Sequence, residues 1–553
     1  MTWQEICKEK KAHQLDGVPK EWLASDVPPA TQLTVIDYPQ QTKVLSSLDL
    51  EITESTVATL LANLASSKWS SVQVTTSFYK RAIVAQQLTN CLTEIFRDRA
   101  LARAKELDEH LEKTGKVVGA LHGLPISLKD QIGIKGIESS MGYVSWVGKV
   151  VEKNSVLVDI LESLGAVPFV KTNIPQTLMW PETFNHVFGR TSNPYNRSLT
   201  SGGSSGGEGA LIALKGSPLG VGSDIGGSVR IPAAFCGIYG FRPSYNRIPY
   251  AGCANSMVGQ DSVLSVLGPL SNTLDGIKTF YKAVLSERPW LKDAMVIRKP
   301  WSEEEYKLVE HGNGGKLCFA IMWDDGVIAP HPPIRRGLEI TKNALLAAGH
   351  QVIDWKPYKQ AEITQTIGAV WFAGGAEDFR TDAAPSGEPV ISSMGILAED
   401  TELSFRPAPS STSAFELWQI QKKKGDLRQE YLGHWADTVS QTGTGRPVDA
   451  IISPVAPYTA PPHGLNKFAQ YTMTWNLLDH PALVVPVSKV DQAVDVKQPR
   501  SEFYTDDDRE NYELYNPATY ENAPISIQVI GRTMEEEAVI AMSEIVDEAL
   551  RKT

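Results

Sequence analysis

Cysteine is scarce in this chain: five residues, Cys7, Cys91, Cys236, Cys253 and Cys318, odd in number and far apart. With no Cys-x-x-Cys and no histidine-rich ligand spacing, neither a disulfide framework nor a zinc site is indicated. No run of about 18 apolar residues occurs, so no membrane-spanning helix is expected. Positive charge is not in excess: 53 Lys and Arg against 64 Asp and Glu give a net charge of −11. That argues against a general nucleic-acid binder, which shows a basic face, although a local basic pocket stays open. The mixed-charge N-terminus lacks the apolar core of a signal peptide, and the C-terminus, Leu550 to Thr553, matches no lipidation or peroxisomal address. By elimination the expected setting is a reducing cytoplasm, where Asn196-Arg197-Ser198 is a chance match to a glycosylation site.

What is present is ordinary globular composition, 42% hydrophobic and 21% charged over 553 residues. No internal repeat and no flexible linker interrupts it. One large domain is therefore expected: an N-terminal arm and helical layer (1–115), a central core (116–300), and a second half (301–553) with a cap insertion near 383–435. Helical starts are read at Thr53 and at Ser70-Ser71, with a third helix over Ala100 to Leu111. Pro125 to Lys129 reads as a short apolar strand ending on a lysine. Helix from Ser155 to Leu164 and strand from Ala166 to Thr172 follow, with Gly165 between them. Further strands are read at Leu317–Trp323, Gln351–Trp355, Ala450–Val455, Ala482–Val487 and Pro524–Gly531, and helices at Ile334–Ala348 and Phe415–Val439. Ala383 to Ser413, rich in Pro and Ser, reads as a surface loop or cap. Alternating helix and strand predicts an α/β sheet.

One stretch departs from average composition. Between Gly202 and Gly227, ten of 26 residues are glycine. Glycine costs conformational entropy on folding, so this density needs a local reason, such as left-handed turns or close backbone approach to a ligand. Two clusters, Gly202-Gly203-Ser204-Ser205-Gly206-Gly207 and Asp224-Ile225-Gly226-Gly227-Ser228, flank an apolar, helix-compatible segment from Ala210 to Lys215. Several chemistries compete. Gly202 to Gly206 satisfies the G-x-S-x-G of a nucleophile elbow, but that motif needs a preceding strand and a partner such as His463 or His480. A phosphate-cradling loop is open in principle, though no Walker motif occurs. Two glycine turns with incidental serines is the plainest reading. The fourth is serine catalysis without histidine: backbone N–H groups before Ser228 form a nest for an oxyanion, and a buried Lys129 supplies the base, its amine neutralised by desolvation. Ser204 relays the proton, since a hydroxyl can donate and accept at once.

The segments GGSSGGEGA (202–210) and GVGSDIGGSVRIPAAFCGIYGFRPS (220–244) resemble the amidase signature family. VIDYP, AQQLTNCLTE, ALHGLPISLKDQ, SSMGYVSW, KTNIPQTLMW, PHPPI, SGEP and QVIGR resemble its fungal acetamidase branch, so the similarity spans nearly the whole chain. The resemblance implies an α/β fold with a mixed, mostly parallel central sheet surrounded by helices, and a Ser–Ser–Lys triad. Lys129 is then general base and acid, Ser204, after a cis peptide, the relay, and Ser228 the acyl-forming nucleophile. Backbone N–H groups of Ile225, Gly226, Gly227 and Ser228 form the oxyanion hole, and Leu178 contacts substrate. Ser205, Asp224 and Arg230 brace the loops. The implied reaction turns an amide and water into carboxylate and ammonia or amine through an acyl-enzyme.

No metal and no other cofactor is implied, and the expected partner is a small-molecule amide; the resemblance leaves a homodimer open. The resemblance favours a small aliphatic or aryl amide such as acetamide, and a cap that carries Arg, Lys and Glu instead of a greasy face argues against lipid entry. A fatty acid amide, an indole acetamide, or a non-catalytic or amidotransferase-like subunit are the alternatives. His122 and Asp130 read as loop residues and Cys236 as core. Trp180, Trp371 and Trp475 are candidate pocket walls against a plainer core-packing reading. Lys422-Lys423-Lys424 reads as a solvated helix face.

Overall fold

Eleven strands form one sheet in the computed structural model, which describes residues 1–395 and 411–552. In chain order they are β1 (Leu92–Ile95), β2 (Pro125–Lys129), β3 (Val167–Thr172), β4 (Leu219–Asp224), β5 (Tyr239–Arg242), β6 (Val266–Ser271), β7 (Cys318–Ile321), β8 (Gln351–Asp354), β9 (Ala450–Pro454), β10 (Ala482–Lys489) and β11 (Pro524–Ile530). Across the sheet the order is β1-β3-β2-β4-β6-β5-β10-β11-β9-β7-β8. The sheet is mixed. Pairing is parallel within β3-β2-β4 and within β9-β7-β8, and antiparallel across the centre and at the β1 edge.

The helices used below are α1 (Ser47–Glu54), α2 (Val57–Ala65), α3 (Ser71–Thr89), α4 (Arg97–Thr114), α5 (Val156–Ser163), α6 (Gly206–Ala213), α7 (Arg230–Phe235), α8 (Pro332–Ala347), α9 (Gln360–Phe372), α10 (Ala414–Ala436) and α11 (Gln470–Leu478). Alternation along each strand divides the sheet's two faces. Ile126 and Leu128 of β2, Phe319 and Ile321 of β7, and Leu483 and Val485 of β10 join one large apolar cluster. Their neighbours in sequence turn to the other face, where Ala320, Ile451 and Ala482 pack with Tyr431, Trp435 and Trp475. Ser127 and Lys129 belong to that second face.

All seven strands read from the sequence are present, with ends shifted by no more than two residues. Four strands of this sheet were not read, β1, β4, β5 and β6, nor was a separate two-stranded pairing of Phe184–Asn185 with Gly189–Arg190. The omission of β4 matters most, because its glycines make Leu-Gly-Val-Gly-Ser-Asp look like a turn. The glycine at 220 has a packing reason: a Cβ there would lie 2.0 Å from Glu208 Oε2. Helix α1 was also missed; Ser46 caps it through a capping box with Asp49, a signal visible in the spacing. The start read at Thr53 falls inside α1, and Thr56 caps the next helix, α2.

Two surface expectations are corrected. The loop or cap read over Ala383 to Ser413 lies outside the described residues at 396–410, but α10 beyond it exposes Phe415 and Trp418 (65% and 62%). The cap is therefore not wholly charged. Lys422 and Lys423 pair with Asp426 and Glu362, whereas Lys424 turns inward to the Ser262 carbonyl and the Tyr245 ring. The stem of Lys424 covers an aromatic surface, so the three lysines do not share one solvated face.

Candidate active site

Parallel pairing of β2 with β4 brings the C-terminal ends of both strands to one edge, where open α/β sheets place their ligand crevices. The register pairs Leu128 with Val221, so Lys129 ends beside the Ser223-Asp224 end of β4. The loop from β4 to α7 then carries Ile225 to Ser228 across that edge. The segment before α6 brings in Ser204 and Ser205 from the other glycine cluster.

Lys129 is fully buried, and its Nζ is 2.7 Å from Ser204 Oγ and 2.8 Å from Ser223 Oγ. Burial pulls its amine down to about 7, against the opposing charges of Asp224 and Glu208. At neutral pH a substantial fraction is thus a neutral amine, able to accept a proton. Ser204 is 1% exposed, follows a cis Gly203–Ser204 peptide, and Ser228 is 8% exposed at the crevice floor.

Gln131 fixes the direction of this network. Its Nε2 donates to the Ala254 carbonyl and to Tyr250 Oη, both at 2.7 Å, so its Oε1 faces Ser223, 2.6 Å away. The Ser223 hydroxyl hydrogen is committed to that oxygen, and Ser223 can only accept from Lys129. One N–H of the amine is thereby held, leaving the lone pair for Ser204. Ser223 and Gln131 were not picked out from the sequence. Both lie within two residues of a residue that was, Asp224 and Lys129.

Ser205, Asp224 and Arg230 each bond to the glycine loops or to one another. The Ser205 amide donates to the Ser228 carbonyl at 3.2 Å, and Ser205 Oγ meets the Ser223 amide at 3.3 Å, tying the two clusters together. Arg230 forms two bonds of 3.0 Å to the Asp224 carboxylate, both side chains fully buried. Burial alone would raise the Asp224 carboxyl, but the Arg230 charge, with bonds from Arg230 and Asn476, outweighs it and holds the group at about 2. Its folded value lies below the unfolded one, so the stabilisation is complete above about pH 4 and is lost as pH falls through about 2. Arg230→Met leaves a buried carboxylate unpaired. It is expected to destabilise the fold by about 3–5 kcal/mol, read as a lowered midpoint in thermal and urea denaturation; an unchanged midpoint would refute the bracing role.

One expectation is modified. The Gly227 amide, expected in the oxyanion hole, donates to Asp224 Oδ1 at 2.8 Å, and can serve an oxyanion only by sharing that hydrogen. Its φ of +133° suits glycine alone. The amides of Ile225, Gly226 and Ser228 donate to no protein acceptor among the described residues.

Leu178, Ile225, Gly226 and Ser228 line one cavity of about 60 Å³, walled by Trp180, Trp371 and Met473. Thr177 and Leu178 hold left-handed φ values of +72° and +63°, unusual for such side chains and frequent at functional sites. Trp475 is not a wall; it is core, packed near Tyr431 and His480. His463 and His480 make no bond to a serine: His463 Nε2 faces the Arg197 carbonyl at 3.2 Å, and His480 sits among aromatic rings. His122 accepts from the Val118 amide, Asp130 binds Thr93 and the Met141 amide, and Cys236 is core, all as read. Among the described residues, no group of three His, Cys, Asp or Glu side chains could hold a metal ion, and no helix is long and apolar enough to cross a membrane.

The amidase family model matches residues 73–540. The chain is 43% identical to an acetamidase of Emericella nidulans (strain FGSC A4) over 551 residues, covering 99% of this chain and 98% of the relative. It is 42% identical to an acetamidase of Aspergillus oryzae (strain RIB 40), covering 99% of each. A solved fatty acid amide hydrolase superposes with a TM-score of 0.90 at 32% identity, covering 99% of this chain and 95% of that one.

Proposed function

The chain belongs to the amidase family, and from that premise we propose that it hydrolyses a small monocarboxylic amide such as acetamide through an acyl-enzyme on Ser228. It is an amide hydrolase; the substrate and the residue roles are the proposal. The observation that carries it is the buried Lys129–Ser204 bond of 2.7 Å, at the edge where the loop carrying Ser228 leaves the adjoining strand β4.

In this mechanism Lys129 takes the Ser204 proton as Ser204 takes that of Ser228, and Ser228 Oγ bonds to the amide carbon. The carbonyl oxygen gains the electron pair and rests against the amides of Ile225, Gly226 and Ser228. The tetrahedral intermediate collapses as the same relay returns the proton to nitrogen, and ammonia leaves. Water then repeats the sequence in the direction of the carboxylate. Returning the proton matters most for an amide, because an amine anion is too basic to leave unaided.

Cavity size supports the small acyl group. About 60 Å³ is far below the roughly 300–1,000 Å³ of pockets for larger organic ligands. A longer chain, as the name of the fatty acid amide hydrolase neighbour suggests for that protein, meets the Trp371 ring, whose edge lies 2.6 Å from where a Gly226 Cβ would be. Trp371 also lines a larger outer groove of about 460 Å³. Trp371→Ala is expected to raise kcat/KM for hexanamide relative to acetamide by about 10-fold or more, measured as ammonia release. An unchanged chain-length profile refutes Trp371 as the wall that limits the acyl group.

The reading as a whole is tested by purified chain with acetamide, butyramide, benzamide, indole-3-acetamide and oleamide. Acetamide or butyramide should be fastest; preference for oleamide or indole-3-acetamide overturns the small-acyl reading. No ammonia from any of them favours a subunit that needs a partner. The five free cysteines support a reducing, cytoplasmic setting, and the continuity of the eleven-stranded sheet, with strands from both halves of the chain, supports one domain.

A further inference from the structure

A second carboxyl group lies in the catalytic layer. Glu208, in the first turn of α6, is fully buried, and each of its oxygens has one hydroxyl donor: Ser127 Oγ at 2.6 Å and Thr172 Oγ1 at 2.9 Å. Both donors are placed by Lys129's own strand pairing. Ser127 is two residues before Lys129 and shares its face of β2, and Thr172 is the residue directly opposite Lys129 on β3. The third neighbouring strand makes room. Gly220 pairs with Ser127, and its missing Cβ would sit 2.0 Å from Glu208 Oε2. Three adjacent strands thus supply a hydroxyl, a hydroxyl and an empty side-chain position. Together they form a fitted socket for one carboxyl group next to the base.

We propose that Glu208 is a positioning residue for the base, its carboxylate stabilising the ammonium form of Lys129 while that side chain carries the proton from Ser204 toward the leaving nitrogen. No Lys or Arg is ion-paired with Glu208 within 4.0 Å among the described residues, unlike Asp224, whose charge is taken up by Arg230. A buried carboxylate without a bonded cation is costly unless hydrogen bonds and a nearby positive charge offset it. The two hydroxyls supply the first, the N-terminal turn of α6 adds a favourable dipole, and Lys129 in its protonated state supplies the second. Burial pushes the Glu208 carboxyl up to about 7, with the two hydroxyls and Lys129 opposing. The charge on Glu208 is therefore responsive to that on Lys129 in the pH range where the enzyme would work.

The other groups facing this pair do not replace it. Asp224 faces Lys129 from β4 and acts on it more strongly than Glu208, but it is bonded to Arg230 and Asn476 and so keeps its charge fixed whatever the state of Lys129. Lys171, beside Thr172 on β3, is directed away to Ser139 and the Glu138 carbonyl. Cys91 is a buried thiol pushed up to about 12, hence uncharged. The proton step itself balances without Glu208: the proton leaves Ser204 Oγ, resides on Lys129 Nζ, and returns through Ser204 to nitrogen. Glu208 changes only how readily Nζ holds it.

The inference rests on Lys129 being the base, and the test separates the two. Glu208→Gln keeps the size and loses the charge; one hydroxyl still donates to the amide oxygen and the other turns to accept from the amide NH2. The acid limb of kcat/KM, followed as ammonia release from acetamide between pH 5 and 9, is expected to move to lower pH by on the order of one unit. The sign follows from removing a negative charge, which makes the ammonium form of Lys129 less favourable and lowers its pKa. A fall in kcat with KM unchanged should accompany it, because the effect is on the proton in transit and not on substrate contact. A limb that stays in place, whatever happens to the thermal midpoint, overturns the proposal and leaves Glu208 a packing residue. Should Glu208→Gln fail to fold, Ser127→Ala and Thr172→Val each strip one bond from the carboxylate. Each should shift the limb the same way by a smaller amount, and no shift in either overturns the proposal equally. If Lys129→Ala retains the wild-type limb, the base assignment itself has failed, which is a different result.

Discussion

Replacing Ser228 by alanine is expected to lower acetamide turnover by on the order of 10⁶-fold, to background. The expectation is this large because nothing else at the crevice floor can take over the attack. Ser204 is 1% exposed, bonded to Lys129, and not among the residues that line the cavity. Ser205 is occupied by Ser223 at 3.3 Å. The substitution removes one oxygen from a site whose backbone is held by Asp224 and Ser205, so the fold should be unaffected and the thermal midpoint unchanged. A fluorophosphonate label should attach to Ser228 in the wild type and be lost in the variant. Label on Ser204 would reverse the two serine roles, and substantial ammonia release by the variant would falsify the acyl-enzyme mechanism.

Lys129→Ala is expected to cost about 10²–10⁴-fold, the span of a general acid–base group, with amides suffering more than esters of the same acid. An alkoxide can leave with little protonation, whereas an amide nitrogen cannot, so loss of the proton carrier falls on the amide. The wild-type rate should rise with pH through about 7, because burial lowers the Lys129 amine to that value and only the neutral form is a base. In the variant that limb should vanish. A pH-rate profile on acetamide and ethyl acetate measures both effects. Equal losses on the two substrates, or a limb that survives, would remove Lys129 from its role. Truncation also opens a hole beside Glu208 and Ser223, so part of any loss of stability is a packing effect; Lys129→Met, close in length, separates the two.

Much of this was legible in the chain. Pro125 to Lys129 is apolar and ends on a lysine, and the strand occupies those same five residues. Glycine density marked both loops, and serines within them pointed to nucleophile and relay. Other parts were not legible for identifiable reasons. Strand β4 is so glycine-rich that period-two patterning is erased, because its neighbours need the space. Glu208 reads as an ordinary polar position at the start of a helix, and nothing local reveals that three strands form a socket around it. Of three tryptophans weighed as pocket walls, Trp180 and Trp371 line the cavity and Trp475 does not. Aromatic character sets the tendency to be buried, not which burial site is filled.

The sequence was enough to give the resemblance to the family, the strand that ends on Lys129, and the two glycine loops with serines in them. Tertiary structure alone decided what those groups meet. Lys129 reaches Ser204 across 75 positions and Ser223 across 94, and Gly226 is held by Thr472 across 246. Such meetings are set by strand register and helix packing, which depend on the whole core at once, whereas turns and capping depend on a few neighbouring residues. The glycines gave notice of a close approach; only the packed sheet showed that a carboxyl group occupied the space one of them left.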